Sequence, residues 1–254
     1  MITPPAETST AENQTGSKAS LSSFADRNIA KRINKVTPIV ETYRRYRGPE
    51  NIAQGLVLDI GSGSGVIGPA VAASLRLGCI GIDVADQRVN KQAPFAIASC
   101  EMLPFQPASF DYAICNHIIE HVFNQGQLLG EIRRVLKPGG LCYLATPNKY
   151  ALLEPHYKLP LLSWLPQGWA DGLVRLMRRG NSYDVQPVTR KDVRRLAALA
   201  NLRATDLTLD LAASPQKFGR AGLLNRFVGL FPRWLIRQLL IIVPSQVWVM
   251  EANE

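Results

Sequence analysis

Residues 56–68 read L-V-L-D-I-G-S-G-S-G-V-I-G, a short apolar run that ends in a glycine-rich turn. The run from Leu56 to Ile60 predicts a strand that is buried on both faces. Gly61, Gly63 and Gly65 follow and permit a tight turn in which no side chain separates the backbone from a ligand. A helix predicted from about residue 66 directs its N-terminus at that ligand. The stretch therefore predicts a binding site for a small charged cofactor.

The rest of the chain alternates between strand and helix patterns. Further strands are predicted at 78–84, 95–99, 109–116, 141–145, 204–211 and 246–251. Helices are predicted at 25–46 with a break at Pro38, at 66–75, at 127–136 with a stop at 137–140, and at 189–200. This alternation is typical of a doubly wound α/β sheet that is mostly parallel.

Length and composition predict one globular domain. The chain has 254 residues, of which 46% are hydrophobic and 19% charged, and it contains no apolar run of about 18 residues. Residues 1–24 predict a disordered tail without the apolar segment of a secretory signal. Residues 25–254 predict a single domain with substrate-side insertions at about 147–188 and 212–245. Four scattered cysteines, without a C-x-x-C pair, favour reduced core residues in a cytoplasmic protein.

The net charge of +9 is concentrated in two segments. One lies at 27–47, ahead of the glycine turn, and the other at 217–237, inside a segment 211–250 that holds no acidic residue. The ordinary interpretation of each is a solvated helix face. The alternative is a surface for an anionic partner, either acidic lipid headgroups or RNA.

Several stretches together resemble class I S-adenosylmethionine-dependent methyltransferases of the broad group often called type 11. They are D59-I-G61-S-G63, Asp83 at the end of the second strand, E101-M-L-P-F105, S109-F-D111, N116-H-I-I-E-H121 and L136-K-P-G-G140. The resemblance covers about 51–145 and 189–210, a little over half of the chain. It implies an α/β, Rossmann-like doubly wound seven-stranded sheet with helices on both faces, mostly parallel with the last strand antiparallel.

The resemblance also implies S-adenosylmethionine as the cofactor and assigns residues to it. Asp59, Gly61, Ser62 and Gly63 correspond to the residues around the methionine part, and Asn116 and His117 to those at the same end. Asp83, followed by Val84, corresponds to the acid that accepts both ribose hydroxyls, which suits a group that only accepts hydrogen bonds. Glu101 and Met102 correspond to the stretch beside the adenine. Ser99 departs from the family, since many relatives carry an aspartate there.

A second cofactor also fits the glycine turn. Residues 63–68 satisfy G-x-G-x-x-G, the dinucleotide fingerprint, and Asp83 follows as a ribose acid, so an NAD-dependent oxidoreductase is an alternative. Asp59 ahead of the glycines and the later stretches 101–105 and 136–140 favour S-adenosylmethionine. A cofactor-binding scaffold without catalysis is the other alternative.

The catalytic candidates are His121 and His156. His121, expected at the start of a helix, can act as a general base for an acceptor hydroxyl, or it can serve only in packing. His156 lies in the first insertion, beside Tyr157, and either contacts the acceptor or caps a turn. Neither His117 nor His121 lies at zinc-ligand spacing from a cysteine or an acid, so the sequence predicts no metal site.

The second insertion contains an apolar helical stretch at 231–243, with Arg233 and Arg237 on one face. It is too short to span a bilayer, so it packs on the domain, forms a dimer contact or lies at the inner face of a membrane. The sequence thus predicts a methyltransferase that acts by in-line displacement on a small-molecule or lipid-linked acceptor. Peripheral membrane contact through 212–245 accompanies this prediction, and nucleic acid is the less favoured partner.

Overall fold

The computed structural model describes residues 29, 32–48, 51–52, 55–214, 218, 232–240 and 242–253. The tail predicted at 1–24 lies outside these residues. The elements in chain order are α1 (Val36–Arg47), β1 (Leu56–Ile60), α2 (Ile67–Leu75), β2 (Gly78–Asp83), β3 (Phe95–Ile97), β4 (Phe110–Asn116), α3 (Gln125–Val135), β5 (Leu136–Pro147), a 3-10 turn (Leu162–Trp164), α4 (Gln167–Leu176), α5 (Arg190–Leu199), β6 (Leu202–Asp206), α6 (Thr208–Ala213), α7 (Arg233–Leu239) and β7 (Ser245–Ala252).

The seven strands form one sheet in the order β3-β2-β1-β4-β5-β7-β6. Strands β1 to β5 pair in parallel, and β7 pairs antiparallel with both β5 and β6. The predicted seven-stranded, mostly parallel sheet with an antiparallel last strand is therefore confirmed. The strand order reverses between β1 and β4, and open α/β sheets bind ligands beyond the carboxyl ends of the strands at such a point.

Helices cover both faces of the sheet, as predicted. On one face, Leu128 and Ile132 of α3 and Val193 of α5 pack on the strands. On the other face, Ile39 of α1 and Val71 of α2 belong to a second buried cluster. Each face thus buries the apolar side of an amphipathic helix, which accounts for the continuous apolar runs of the parallel strands.

Three predicted element boundaries are wrong. The helix break predicted at Pro38 lies at residues 34–35, a turn between helical residues 32–33 and α1, and Pro38 itself lies in the first turn of α1, where the backbone N–H groups have no helical acceptor. Strand β6 ends at Asp206, and α6 begins at Thr208 and buries Leu211, while Leu207 between them is also buried. Residues 137–140 are predicted as a stop between the helix at 127–136 and the next strand. They lie within β5, where the pairing with β4 shifts register.

The helix predicted at 189–200 is confirmed, and a capping box fixes its start. The Thr189 hydroxyl accepts a hydrogen bond from the Asp192 backbone, while the Asp192 carboxylate accepts one from the Thr189 N–H. Two of the N–H groups that a helix N-terminus leaves unpaired are thereby satisfied. Helix α5 therefore begins next to the first insertion, which ends at residue 188.

The first insertion builds a small core of its own. Leu159 and Leu162 pack with Ala170 and Val174 of α4, and Tyr183 and Val185 complete the cluster. The indole N–H of Trp164 donates to the carbonyl of Ala151 at 3.0 Å. This packing places residues 154–157 and 179–185 near the carboxyl end of β4.

The second insertion is described only in part. In α7, Ile236 is buried and Leu240 follows as a buried residue, whereas Trp234 is 67% exposed. The Arg190 guanidinium donates to the carbonyl of Leu240 at 2.9 Å, which ties the end of α7 to α5. The side chains of Arg233 and Arg237 lie outside the described residues. No helix in the described part of the chain is both long enough and apolar enough to span a membrane.

Candidate active site

The turn after β1 has the backbone conformation that its glycines permit. Gly61, Gly63 and Gly65 have φ values of 65°, 51° and 68°. A Cβ atom at Gly61 would lie 2.0 Å from Cδ1 of Ile118, so only glycine fits there without a shift of that side chain. The Ser62 N–H donates to the carbonyl of Ile82 at 2.9 Å. The turn is therefore fastened to the end of β2.

Asp59 stabilises this turn by holding the start of the helix that follows it. It is buried in β1, and its Oδ2 accepts a hydrogen bond from the Gly68 N–H at 3.0 Å. Burial raises the pKa of Asp59 to about 7, while the hydrogen bond from Gly68 and the charge of Arg32 act in the opposite direction. The carboxylate thus anchors the first turn of α2 and faces Gly68.

Asp83 lies at the end of β2, as predicted, and ties two loops together. Its Oδ2 accepts from the Gly63 N–H at 2.8 Å, and its Oδ1 accepts from the Val84 N–H at 2.8 Å. The carboxylate therefore stands at the edge of the sheet beside the glycine turn. This is the position in which a carboxylate can accept hydrogen bonds from a diol.

A cavity of about 200 Å³ opens beside this carboxylate. Its lining residues are Gly61, Ile82, Asp83, Val84, Ala98, Cys100, Ile118, His121 and Val122. We call it the cofactor cavity. It brings together three of the residues that the sequence assigned to the cofactor, Gly61, Asp83 and Val84, and adds His121 from the turn after β4.

Glu101 and Met102 lie in the turn after β3, outside the lining of this cavity. The Glu101 carboxylate accepts a hydrogen bond from the Asn124 N–H, and its carbonyl accepts one from the Gln127 side chain at 2.9 Å. The Met102 side chain is 74% exposed. The structure therefore uses Glu101 to hold the turn against the start of α3.

Residues 117–122 form a turn rather than the start of a helix, so the predicted setting of His121 is wrong. Asn116 ends β4, and His117 follows with a φ of 61°, while its N–H donates to the carbonyl of Ala145 at 2.8 Å. The left-handed backbone at His117 redirects the chain, because it cannot continue either a strand or a helix. Helix α3 starts only at Gln125, after the N-cap Asn124.

All three histidines of the chain meet at this turn. The rings of His117 and His156 have centroids 6.3 Å apart, and those of His121 and His156 lie 5.1 Å apart. Two buried carboxylates accompany them, Glu120 at 0% and Glu154 at 1% exposure. We call these five residues the histidine cluster.

The two carboxylates orient the histidines. Glu120 Oε1 lies 3.1 Å from His117 Nδ1, and Glu120 Oε2 accepts a hydrogen bond from the Thr146 hydroxyl at 3.1 Å. Glu154 Oε1 lies 2.9 Å from His156 Nδ1. This contact with Glu154 raises the pKa of His156, although partial burial acts in the opposite direction.

A second cavity of about 410 Å³ lies on the other side of the histidine cluster. Its lining residues are His121, His156, Tyr157, Arg179, Asp184 and Val185. We call it the acceptor cavity. His121 lines both cavities, so the two spaces adjoin at its side chain.

Several residues of this site were not predicted from the sequence. The Arg32 guanidinium lies 3.0 Å from the position that a Cβ atom of Gly63 would take, although its segment was interpreted as a solvated basic face. Glu154 precedes His156 by two residues, and this short separation could have indicated a contact between the carboxylate and the imidazole. Arg179 and Asp184 lie in the insertion without any motif around them, so no local pattern could have identified them.

Sequence comparisons agree with this geometry. Residues 58–144 match the family model described as "Methyltransferase domain". The chain is 29% identical over 156 residues to a ubiquinone biosynthesis O-methyltransferase of Idiomarina loihiensis, covering 54% of this chain and 62% of that protein. It is 24% identical over 189 residues to the protein of the same name from Thiobacillus denitrificans, covering 70% of this chain and 76% of that protein. The chain therefore spans about three fifths to three quarters of these relatives.

Solved structures share the fold. A putative sarcosine dimethylglycine methyltransferase from Galdieria sulphuraria matches with a TM-score of 0.54 at 13% identity, covering 86% of each chain. The [4+2]-cyclase SpnF matches with a TM-score of 0.53 at 14% identity, covering 87% of this chain and 80% of that one. At such identities the likeness concerns the fold alone. The family match runs from within β1 into β5 and shows that residues 58–144 form a methyltransferase domain.

Proposed function

We propose that the protein transfers the methyl group of S-adenosylmethionine to an oxygen atom of a small-molecule acceptor. The observation that carries this proposal is the pair of cavities that meet at His121. Methyl transfer by in-line displacement needs the acceptor atom, the methyl carbon and the sulfur on one line, with both reactants held in place. Two adjoining cavities with one shared side chain suit this requirement.

The residues of the cofactor cavity fit S-adenosylmethionine. Gly61 lines the cavity without a side chain, and the Asp83 carboxylate stands where it can accept from both ribose hydroxyls. The Arg32 guanidinium beside Gly63 suits the methionine carboxylate, since a guanidinium donates to a carboxylate in a bidentate manner. The cofactor supplies an electrophilic methyl group, and these residues bind and orient it.

Four further residues remain predicted contacts of the methionine part. They are Ser62 and Gly63 in the glycine turn, Asn116 at the end of β4, and His117 directly after it. Asp59, which faces Gly68, acts in this proposal through the turn that it supports. Glu101 and Met102 remain predicted neighbours of the adenine.

The acceptor cavity suits a hydroxyl compound. An oxygen acceptor must lose its proton as the new bond forms, and His121 lies at the junction where that proton is released. We propose His121 as the group that takes the proton and His156 as a group of the cavity wall. The relatives named as O-methyltransferases favour an oxygen acceptor over nitrogen or carbon. The charged side chains of Arg179 and Asp184 favour a polar group on the acceptor.

A lipid-linked acceptor stays a prediction. The buried side chains of Ile236 and Leu240 favour packing of α7 on the domain, whereas the exposed Trp234 suits an outward contact. Membrane contact through 212–245, with the protein at the inner face of a membrane, therefore stays a prediction as well.

The test is transfer of an isotope-labelled methyl group into a fractionated small-molecule and lipid extract. We expect label in an oxygen-linked methyl group with the wild-type protein and none with Asp83→Ala. Calorimetric titrations with S-adenosylmethionine and with NAD accompany it. Binding of S-adenosylmethionine without any transfer would favour the scaffold, and binding of NAD alone would overturn the proposal.

A further inference from the structure

The histidine cluster holds two buried carboxylates whose ion pairs, within the described ranges, involve only histidines. Within the described ranges, the ion pairs of Glu120 join it to His117 and His156, and that of Glu154 joins it to His156. No lysine or arginine takes part in these pairs. A buried carboxylate is costly unless a positive charge compensates it. The negative charge of these two groups makes the cluster a favourable place for a cation.

The geometry of the cluster shows where that cation fits. One donor atom each from His117, Glu120 and His156 lie within 4.8 Å of one another. Glu120 Oε1 lies between the two imidazoles, 3.1 Å from His117 Nδ1 and 3.8 Å from His156 Nε2. The side chains of His117 and His156 are 24% and 29% exposed, and His156 lines the acceptor cavity, so the cluster is open to an ion from solvent.

Glu154 orients the His156 ring without being one of the three ligands. Because Glu154 contacts His156 through Nδ1, the other ring nitrogen, Nε2, is directed at Glu120. A carboxylate that holds the far nitrogen of a metal-binding histidine is the usual outer partner in zinc sites. Glu120 has a comparable support, since the Thr146 hydroxyl donates to its second oxygen.

We infer that His117, Glu120 and His156 form a binding site for a divalent cation of the zinc class, beside the acceptor cavity that His156 lines. Two imidazoles and one carboxylate are ligands that suit zinc, cobalt or iron better than magnesium, which prefers oxygen ligands only. Three protein ligands leave one coordination position open, as in zinc sites that act on a substrate. The sequence predicted no metal site because His156 is contributed by a distant segment.

Small side-chain movements complete the site. Ligand atoms around a tetrahedral zinc ion lie about 3.3 Å from one another, which follows from metal–ligand distances of about 2.0 Å. The distance from Glu120 Oε1 to His117 Nδ1 already has this length, and that to His156 Nε2 exceeds it by about half an ångström. The three donor atoms span up to 4.8 Å, so binding of the ion requires the partly exposed rings of His117 and His156 to move closer together.

The ion gives the acceptor cavity a place for the reacting oxygen. With the acceptor hydroxyl in the open position, the ion lowers the pKa of that hydroxyl. The proton passes to His121, the oxygen forms a bond to the methyl carbon, and the carbon–sulfur bond breaks to leave S-adenosylhomocysteine. This role rests on the proposed function, whereas binding of the ion does not.

The test is titration of the full chain, freed of metal by a chelator, with cobalt(II) and zinc(II) chloride. Cobalt in a four-coordinate site gives strong visible absorption bands, and we expect them to saturate at one ion per chain and to disappear when zinc is added. His156→Gln, at a partly exposed position, and Glu120→Gln, which keeps the shape of the side chain, should abolish the bands. Glu154→Gln should weaken binding by about 10- to 100-fold.

His121→Asn is the matched control, because it lies in the same cluster but outside the ligand set. It should keep the cobalt spectrum. A wild-type chain without the bands, or bands that survive both ligand variants, would overturn the inference. Methyl transfer by the metal-free chain would leave the proposed function in place and remove the ion from it, so the two failures can be told apart.

Discussion

The two cavities that meet at His121 are built in different ways. The cofactor cavity is formed by the carboxyl ends of neighbouring strands, with Gly61 after β1, Asp83 at the end of β2 and Ile118 after β4. The acceptor cavity is formed by the turn after β4 and by two segments of the first insertion, which contribute His156 and Asp184. The cofactor cavity is part of the sheet, whereas the acceptor cavity depends on the insertion packed on the sheet. Substitutions in one cavity should therefore leave binding at the other unchanged.

His121→Asn should have the largest effect, because His121 belongs to both cavities. Loss of the group that takes the acceptor proton should lower the rate of methyl transfer about 1,000-fold, while the S-adenosylmethionine affinity should change little. Single-turnover rates and calorimetry measure the two quantities. Cys100→Ala is the control, since Cys100 lines only the cofactor cavity. A loss of affinity as large as the loss of rate would show that the two cavities do not act separately.

Asp83→Ala should affect the cofactor cavity alone. The substitution removes the acceptor of the Gly63 and Val84 N–H groups and the predicted ribose contacts, so the S-adenosylmethionine affinity should fall about 100-fold. Cobalt binding at the histidine cluster should stay unchanged. Asp86→Ala, which breaks an ion pair with Arg88 outside the lining of the cofactor cavity, should leave the affinity near the wild-type value. Equal effects of the two variants would contradict the role of Asp83.

Asp59→Asn tests how Asp59 stabilises the glycine turn, because it should change how the free energy of unfolding depends on pH. Since burial raises the pKa of Asp59 to about 7, the native state holds a proton that the unfolded chain loses near pH 4. The contribution of Asp59 to the free energy of unfolding is therefore full below about pH 4 and is lost as the pH rises through about 7.

The Asn variant lacks this dependence, so the wild type should lose about 2 kcal/mol relative to it between about pH 5 and pH 8. Urea denaturation of both proteins at several pH values measures the difference. A difference that stays constant over this range would mean that Asp59 is ionised in the native protein throughout.

The same contrast explains what the sequence could predict. In a parallel sheet, residues that follow successive strands meet at one edge, so the glycine turn and Asp83 were placed from their position in the chain alone. The orientation of Asp59 was not predictable, because both faces of β1 are buried and the alternation of the strand gives no preferred side. The acceptor cavity was not predictable either. His156 meets His117 only through the packing of the insertion, which depends on the long-range contacts of Leu162 and Val174.

Tyr157→Phe should have the smallest effect and should act on the acceptor side only. The Tyr157 hydroxyl donates to Asp184 and contacts the Ser182 carbonyl, so it fastens the segment that carries His156 to the far end of the insertion. Loss of this bond should cost about 1 kcal/mol of stability and should raise KM for the acceptor several-fold. Because the strands that form the cofactor cavity do not depend on this contact, the S-adenosylmethionine affinity should not change. Thermal unfolding, acceptor titration and calorimetry measure the three quantities. A change in cofactor affinity would show that the insertion and the sheet are coupled more tightly than their separate cores indicate.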